Sequence, residues 1–246
     1  MRSIGAIFYI MLFALQAGAA SITAYTEELP PFGLTRDGKP SGLSTELLQA
    51  MCAEAKIECE IRIVPWARAF HEALNRPNTL VFSTARIASR EASFVWIGPI
   101  TANVHNVIYA RGDFARPAAT LNDLQGLRVG VVNKDAGHDE MVRAGVSGVT
   151  FEAGPNVQSN LRKLMAGHID VMPAQEIVMA WAMRVGGLDD KSVIPLFSFG
   201  VDADLYFAIN PRSDPALVEA LRAAWTKISA TSLPQEIKLR YLPDLK

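Results

Sequence analysis

The chain has 246 residues, is 50% hydrophobic, and carries 24 basic and 25 acidic side chains for a formal net charge of −1. So even a balance gives no electrostatic footprint for a nucleic acid or an anionic membrane surface. The length allows one large domain or two modest ones.

The first twenty residues, MRSIGAIFYIMLFALQAGAA, hold one basic residue, Arg2, then an apolar run over 4–15 and small residues at 17–20. This is the layout of a secretory signal peptide cleaved after Ala19 or Ala20. The run falls short of the roughly 20 apolar residues that a membrane anchor needs. No cysteine follows the cleavage region to carry a lipid, and no later segment is apolar enough to span a bilayer.

A short strand over 21–25 leads into a turn-rich loop, TEELPPFGLTRDGKPSG. Apolar residues at 43, 47, 48 and 51 predict a helix over 43–54, and a second strand follows at 60–64. The segment MCAEAKIEC joins them and holds the two cysteines, Cys52 and Cys59. In an exported chain they are expected to form a disulfide, the alternative being two buried free thiols. PWARAFHEAL predicts a helix with proline at its start, and 79–83 is a third strand. The order β-α-β-α-β indicates a largely parallel α/β unit.

Past Gly98-Pro99, residues 106–110 predict an extended strand, and RGDFARPAATLNDLQG is polar with a helix-start pattern at 120–123. LRVGVVN at 127–133 opens a second α/β unit. It continues with a helix from Asp139, a strand at 149–151, a helix at 156–166, a strand at 169–172 and a helix at 177–185. Strands at 194–197 and 206–209 and an amphipathic helix at 215–230 complete it. Two α/β lobes are the expectation, with ligands bound outside the strands' carboxyl ends. Residues 83–90 lie at such an end.

The ordered set LPPFGLTRDGKPSGLSTELLQAM, C-x6-C, STARIASREASFVWIGPI, LRVGVVNKDAG and LRKLMAGHIDVMPAQE spans nearly the whole chain beyond the leader. In this set the sequence resembles the type II periplasmic solute-binding proteins serving polar amino acids, the bacterial extracellular solute-binding family 3. The resemblance implies a two-lobed α/β fold in which each lobe is a mixed, mostly parallel sheet flanked by helices, with two hinge crossovers. The lobes are expected at 21–108 with 202–246 and at 109–201, and the hinges at about 106–111 and 199–205. The resemblance also implies that Ser83 and Arg90 hold a ligand carboxylate. A guanidinium suits that task because it offers two parallel charge-assisted donors to a planar acceptor. On this reading Arg90 faces solvent until the lobes close.

Arg86 is a second anion contact or a lobe-to-lobe ion pair on the same reading, and Phe32 and Trp66 are apolar walls of the cleft. In the second lobe, Gln175 stands where amino-acid binders of this family often carry an aspartate for the ligand's ammonium. The loop after the second unit's first strand presents Asn133, Lys134, Asp135 and Ala136 where small hydroxyl residues are usual. Glu27 and Asp135 complete the ligand-binding candidates. The expected ligand is a small organic anion, an amino acid or a related carboxylate. The expected partner is an inner-membrane ABC permease served by a periplasmic monomer, without nucleic acid, metal or cofactor. A ligand-sensing partner of a receptor or kinase is the alternative. Exported dehydratases on the same fold are a further one, with Glu27, Asp135 and Glu176 as acid or base candidates. His71, His105, His138 and His168 are scattered, lack metal-ligand spacing and are read as structural.

Overall fold

The computed structural model describes residues 20–242, so the expected leader lies outside the described residues apart from Ala20. β1 (Ser21–Thr26) is followed by a small hairpin of β2 (Leu34–Arg36) and β3 (Lys39–Ser41). Next come α1 (Leu43–Ala55), β4 (Glu58–Ile63), α2 (Trp66–Asn75) and β5 (Thr79–Ala85). β4, β1 and β5 lie side by side and parallel. All seven residues of β5 are buried, as a parallel strand covered on both faces requires.

The second lobe repeats this plan with β7 (Arg128–Val132), α3 (Ala136–Arg143), β8 (Thr150–Gly154), α4 (Val157–Met165), β9 (Val171–Gln175) and α5 (Glu176–Val185). Here β8, β7 and β9 are the parallel set. Two antiparallel strands of 17 residues each, β6 (Val95–Arg111) and β10 (Val193–Ile209), run between the sets. The sheet order is β4-β1-β5-β10-β6-β9-β7-β8, so one continuous sheet passes through both lobes. α6 (Pro215–Ser229) and α7 (Leu233–Tyr241) return to the first lobe and pack on α1.

Local chemistry explains the elements. In α1 the residues at 43, 47, 48 and 51 are all buried, and Lys56 ends the helix in a left-handed conformation, φ 56°. α2 starts directly after Pro65. Asp214 caps α6 by accepting from the Ala216 N–H at 2.9 Å, with Pro215 at the first helical position. Cys52 and Cys59 are bonded and tie the end of α1 to β4. The first lobe's core gathers Leu48, Met51, Leu80, Phe82 and Phe207; a smaller cluster in the second holds Ile108, Val129, Val131 and Met141.

Several boundaries differ from the sequence expectation. The strands expected at 194–197 and 206–209 are one strand, β10. FSFGVDAD reads as a break, yet the ladder with β6 tolerates it by shifting register between Phe199 and Ala203, where Gly200 takes φ 79°. β6 begins eleven residues before the expected 106, on the far side of Gly98-Pro99. Residues 106–110, expected as a hinge, pair with β9 throughout, so they lie inside the second lobe's sheet. The β2–β3 hairpin and α7 went unanticipated, and α3 starts at Ala136, three residues before Asp139.

Candidate functional site

The carboxyl ends of six strands, three from each lobe, converge on one cleft. In the first lobe β1 delivers Glu27, β5 delivers Ser83 and Ala85, and Trp66 opens α2 after β4. The second lobe mirrors this: β7 leads to Asp135, Ala136 and Gly137, β9 ends on Ala174 and Gln175, and Val157 opens α4 after β8. With Arg90, Asn106, Leu29 and Val178 they line a small cavity that is partly open to solvent. This is the position at which an open α/β sheet binds small molecules.

Ser83 reaches the cavity through a bulge. Opposite β10, three residues of β5 advance from Val81 to Thr84 while two advance from Ala208 to Tyr206. The extra residue turns the chain, and Ser83 takes φ 57°, a left-handed conformation costly for a side chain with a Cβ. Its Oγ is buried and has no hydrogen-bond partner. Strain of this sort, about 1–3 kcal/mol, collects at functional sites.

Arg90 follows β5 on a turn whose N–H donates to the Ile87 carbonyl at 2.9 Å. Only 3% of the residue is exposed, so it is buried and not solvent-facing. The guanidinium lies over the rings of Trp66 at 5.4 Å and Phe70 at 5.0 Å, a cation–π seat. Its Nη2 donates across the cleft to the Lys134 carbonyl at 3.1 Å and to Asp139 Oδ2 at 3.0 Å. Its Nε, also buried, has no partner. The Trp66 indole N–H donates to the same Lys134 carbonyl at 2.6 Å. Lys134 presents that oxygen from a left-handed backbone, φ 62°.

On the opposite wall Asp135 caps α3, accepting from the His138 N–H at 2.6 Å. Burial pushes its carboxyl up to about 7, against the downward pull of the His138 N–H and Arg90, and nearby Asp139 and Glu140 add to the rise. Glu27 is buried as well; burial first and the charge of Asp135 second hold its carboxyl well above the usual range, with Arg90 opposing. Gln175 points an unpartnered, buried Oε1 into the cavity. Asn106 sits opposite it in the β6–β9 ladder and donates to Glu140 Oε2 at 3.1 Å.

Six of the eight ligand-binding candidates thus meet in one cavity: Glu27, Trp66, Ser83, Arg90, Asp135 and Gln175. Arg86 and Phe32 are placed elsewhere. Arg86 gives Nε and Nη2 to Glu91 at 2.8 and 2.5 Å and lies over Trp96 and Tyr206, outside the cavity. Phe32 is 1% exposed, and its carbonyl accepts from the Ser44 and Thr45 N–H groups at the start of α1. Glu176 faces away from the cavity, 3.4 Å from His105. The sequence reading missed Asn106, Val157 and Asp139. A strand-end rule would have found Val157, since it follows β8 as Trp66 follows β4; Asn106 becomes visible only through its pairing with Gln175 in the sheet, and Asp139 only through its contact with Arg90 across the cleft. Among the described residues no group of three or more His, Cys, Asp or Glu is arranged to hold a metal ion.

Two parallel α/β lobes joined by paired crossing strands, with buried polar groups of both lobes aimed into the space between, define a solute-binding fold. The family model for bacterial extracellular solute-binding proteins, family 3, matches residues 22–244, and the chain belongs to that family. A search of curated proteins returns no match. Among solved structures, a histidine kinase sensor domain with similarity to periplasmic binding proteins aligns at 21% identity over 91% of this chain and 96% of its own, TM-score 0.80. An ancestral arginine-binding protein bound to arginine aligns at 16% identity over 90% and 98%, TM-score 0.79. An arginine-specific periplasmic binding protein from Salmonella typhimurium aligns at 16% over 91% and 99%, TM-score 0.77. At these identities the likeness establishes the fold, and the family is one of binding proteins.

Proposed function

We propose that this protein captures a small organic anion in the periplasm, an amino acid or a related carboxylate, by closing its lobes on it, and hands it to an ABC-type permease. The observation that carries the reading is the trio of buried, unpartnered polar atoms in one cavity: Ser83 Oγ, Arg90 Nε and Gln175 Oε1. Buried polar groups are nearly always hydrogen-bonded, so a hydroxyl, a guanidinium and an amide oxygen aimed into a common space call for a polar ligand. A carboxylate satisfies Arg90 and Ser83 together. Glu27 and Asp135 stand beside Arg90 in the same cavity with carboxyls raised by burial, and a cationic amine on the ligand would favour their ionised forms, so the lining suits a ligand that carries an amine besides its carboxylate. An amino acid meets that condition, a simple dicarboxylate does not, and the arginine-binding relatives support the same choice.

In this reading, behind a leader at 1–20, lobe 1 comprises about 21–99 and 206–242 and lobe 2 about 106–198, the first boundary falling before the expected 108 because 106–110 pair with β9. The chain crosses between them near 100–105 and 199–205. A ligand that touches both lobes shifts the open–closed equilibrium by its differential affinity for the closed form. A thermal-shift panel of amino acids, dicarboxylates and aromatic acids, followed by calorimetry on the hits, tests the reading, since a ligand of the native state raises stability by mass action. At least one α-amino acid is expected to raise Tm and to be recovered unchanged by mass spectrometry. Failure of the whole panel, or chemical turnover of the hit, would refute capture. Likeness to a kinase sensor domain supports a second reading, in which the liganded form docks on a receptor. Uptake of the labelled hit by cells lacking the protein separates the two: transport falls under the first reading and is unaffected under the second.

A further inference from the structure

Arginines elsewhere in the molecule show what an undisturbed guanidinium does. Arg62, Arg86, Arg111 and Arg128 each give the parallel Nε–Nη2 fork to both oxygens of one carboxylate, on Glu60, Glu91, Asp113 and Asp170. Arg90 does not. Its Nη2 carries two hydrogens, and both are taken, by the Lys134 carbonyl and by one oxygen of Asp139. Its Nε, the other tooth of the fork, is buried without a partner. A planar carboxylate in the cavity therefore cannot take the whole fork while both contacts stand.

We propose that Asp139 competes with the ligand's carboxylate for the Arg90 fork, so that ligand binds by exchange and Asp139 sets the affinity and the carboxylate selectivity of the cleft. This rests on the reading of Arg90 as the carboxylate anchor. The two contacts differ in how readily they yield. The Lys134 carbonyl is held by the backbone and also accepts from Trp66. Asp139 is a side chain in the first turn of α3, already 38% exposed, and makes a single bond to Arg90. Released, it gains water and keeps the favourable field of the helix N-terminus. The exchange replaces one charge-assisted bond by two, because the incoming acid also satisfies Nε. A carboxamide or an alcohol would have to displace a charged partner with a neutral acceptor, a losing exchange. The pair joins the lobes too, Arg90 following β5 and Asp139 lying on α3, so it draws them together by itself.

Titration of L-arginine and L-argininamide into the wild type, Asp139→Asn, Asp139→Glu and Arg90→Ala tests this, alongside small-angle scattering on the same proteins without ligand. Asp139→Asn is expected to bind L-arginine about two- to fivefold more tightly, the scale of an ion pair whose acid partner is exposed to water, and to narrow the preference for the acid over the amide. Asp139→Glu keeps the competitor and should follow the wild type. The ligand-free Asp139→Asn protein should show a larger radius of gyration. Weaker or unchanged L-arginine binding by Asp139→Asn overturns the exchange. So does an unchanged radius of gyration, which settles the matter even if L-arginine binds none of the variants. Arg90→Ala binding as tightly as the wild type would instead overturn the anchor assignment and leave the scattering comparison to judge the lobe-joining pair.

Discussion

The two faces of the cleft are built to one plan and carry opposite chemistry. The first lobe offers a guanidinium seated on two aromatic rings and a serine fixed by a strand bulge, both nearly inaccessible to water. The second offers acids on the opening turn of a helix: Asp135 at its cap and Asp139 a turn later, half exposed. The segments after β1 and β7 each supply an acid, Glu27 and Asp135, whereas among the described residues the one arginine lining the cavity follows β5. A fixed cation on one side and adjustable acids on the other suit a ligand of mixed charge. They also assign anchoring to the first lobe and tuning to the second.

The sharpest way to break that division is Arg90→Ala. Truncating one partner of a buried charge pair typically costs 2–5 kcal/mol, so carboxylate affinity should fall by about thirtyfold or more in calorimetry. The acids of the second lobe would remain, and full retention of affinity would show that they, not the anchor, hold the ligand. Next in size is the staple, which the first lobe alone possesses. Replacing Cys52 and Cys59 by serine should lower unfolding stability by about 2.5 kcal/mol, the loop-closure value for so short a bridge. Denaturant unfolding would read the loss, with ligand affinity little changed because the bridge lies far from the cavity lining.

Ser83→Gly sharpens the comparison in the opposite sense. Glycine adopts φ 57° freely, so the variant should gain about 1 kcal/mol of stability while losing a hydroxyl to the ligand. Higher Tm together with weaker binding is the expected pair, and a stability loss would mean that the bulge is not strained. The last comparison is a pH dependence carried by Asp135. A carboxyl whose pKa is higher in the fold than in the unfolded chain binds more protons when folded, so raising the pH withdraws stability. For Asp135 the window runs from the ordinary 3.8 up to about 7. Tm of the ligand-free protein should decline across it, and Asp135→Asn, which keeps a competent cap, should flatten part of the decline. Glu27 contributes the remainder. An identical profile in the variant would assign the slope elsewhere.

Much of this was legible in the sequence, for identifiable reasons. Helices such as α1 and α6 announce themselves by apolar spacing, and α6 also by the aspartate and proline at its start. The strand-end rule pointed to residues 83–90, of which Ser83 and Arg90 line the cavity, while Asp135 and Gln175, suggested by the family resemblance, line the same cavity. The long strands were illegible because Gly98-Pro99 and FSFGVDAD look like breaks, and only ladder partners make them continuous. The β2–β3 hairpin was passed over although Asp37-Gly38 carries its signature, both residues taking positive φ as a tight turn requires. Arg86 and Arg90 are four residues apart and each has an acid partner; what separates them is that Glu91 takes the whole fork of Arg86, whereas Asp139 meets Arg90 at Nη2 alone. Glu91 occupies Arg86, and Arg90 is left for the cleft.

β6 and β10 give the molecule a mechanical property that two loose connectors would lack. Both cross from lobe to lobe as neighbours in one hydrogen-bonded ribbon, so bending either obliges its companion to bend at the same height. The ribbon is weakest where its ladder skips between Phe199 and Ala203, beside Gly200. There a Cβ would lie 1.9 Å from Glu140, whose carboxylate also holds Asn106 of the cavity wall. The fold line and the wall of the binding chamber therefore share a side chain, and a movement of one must be felt by the other.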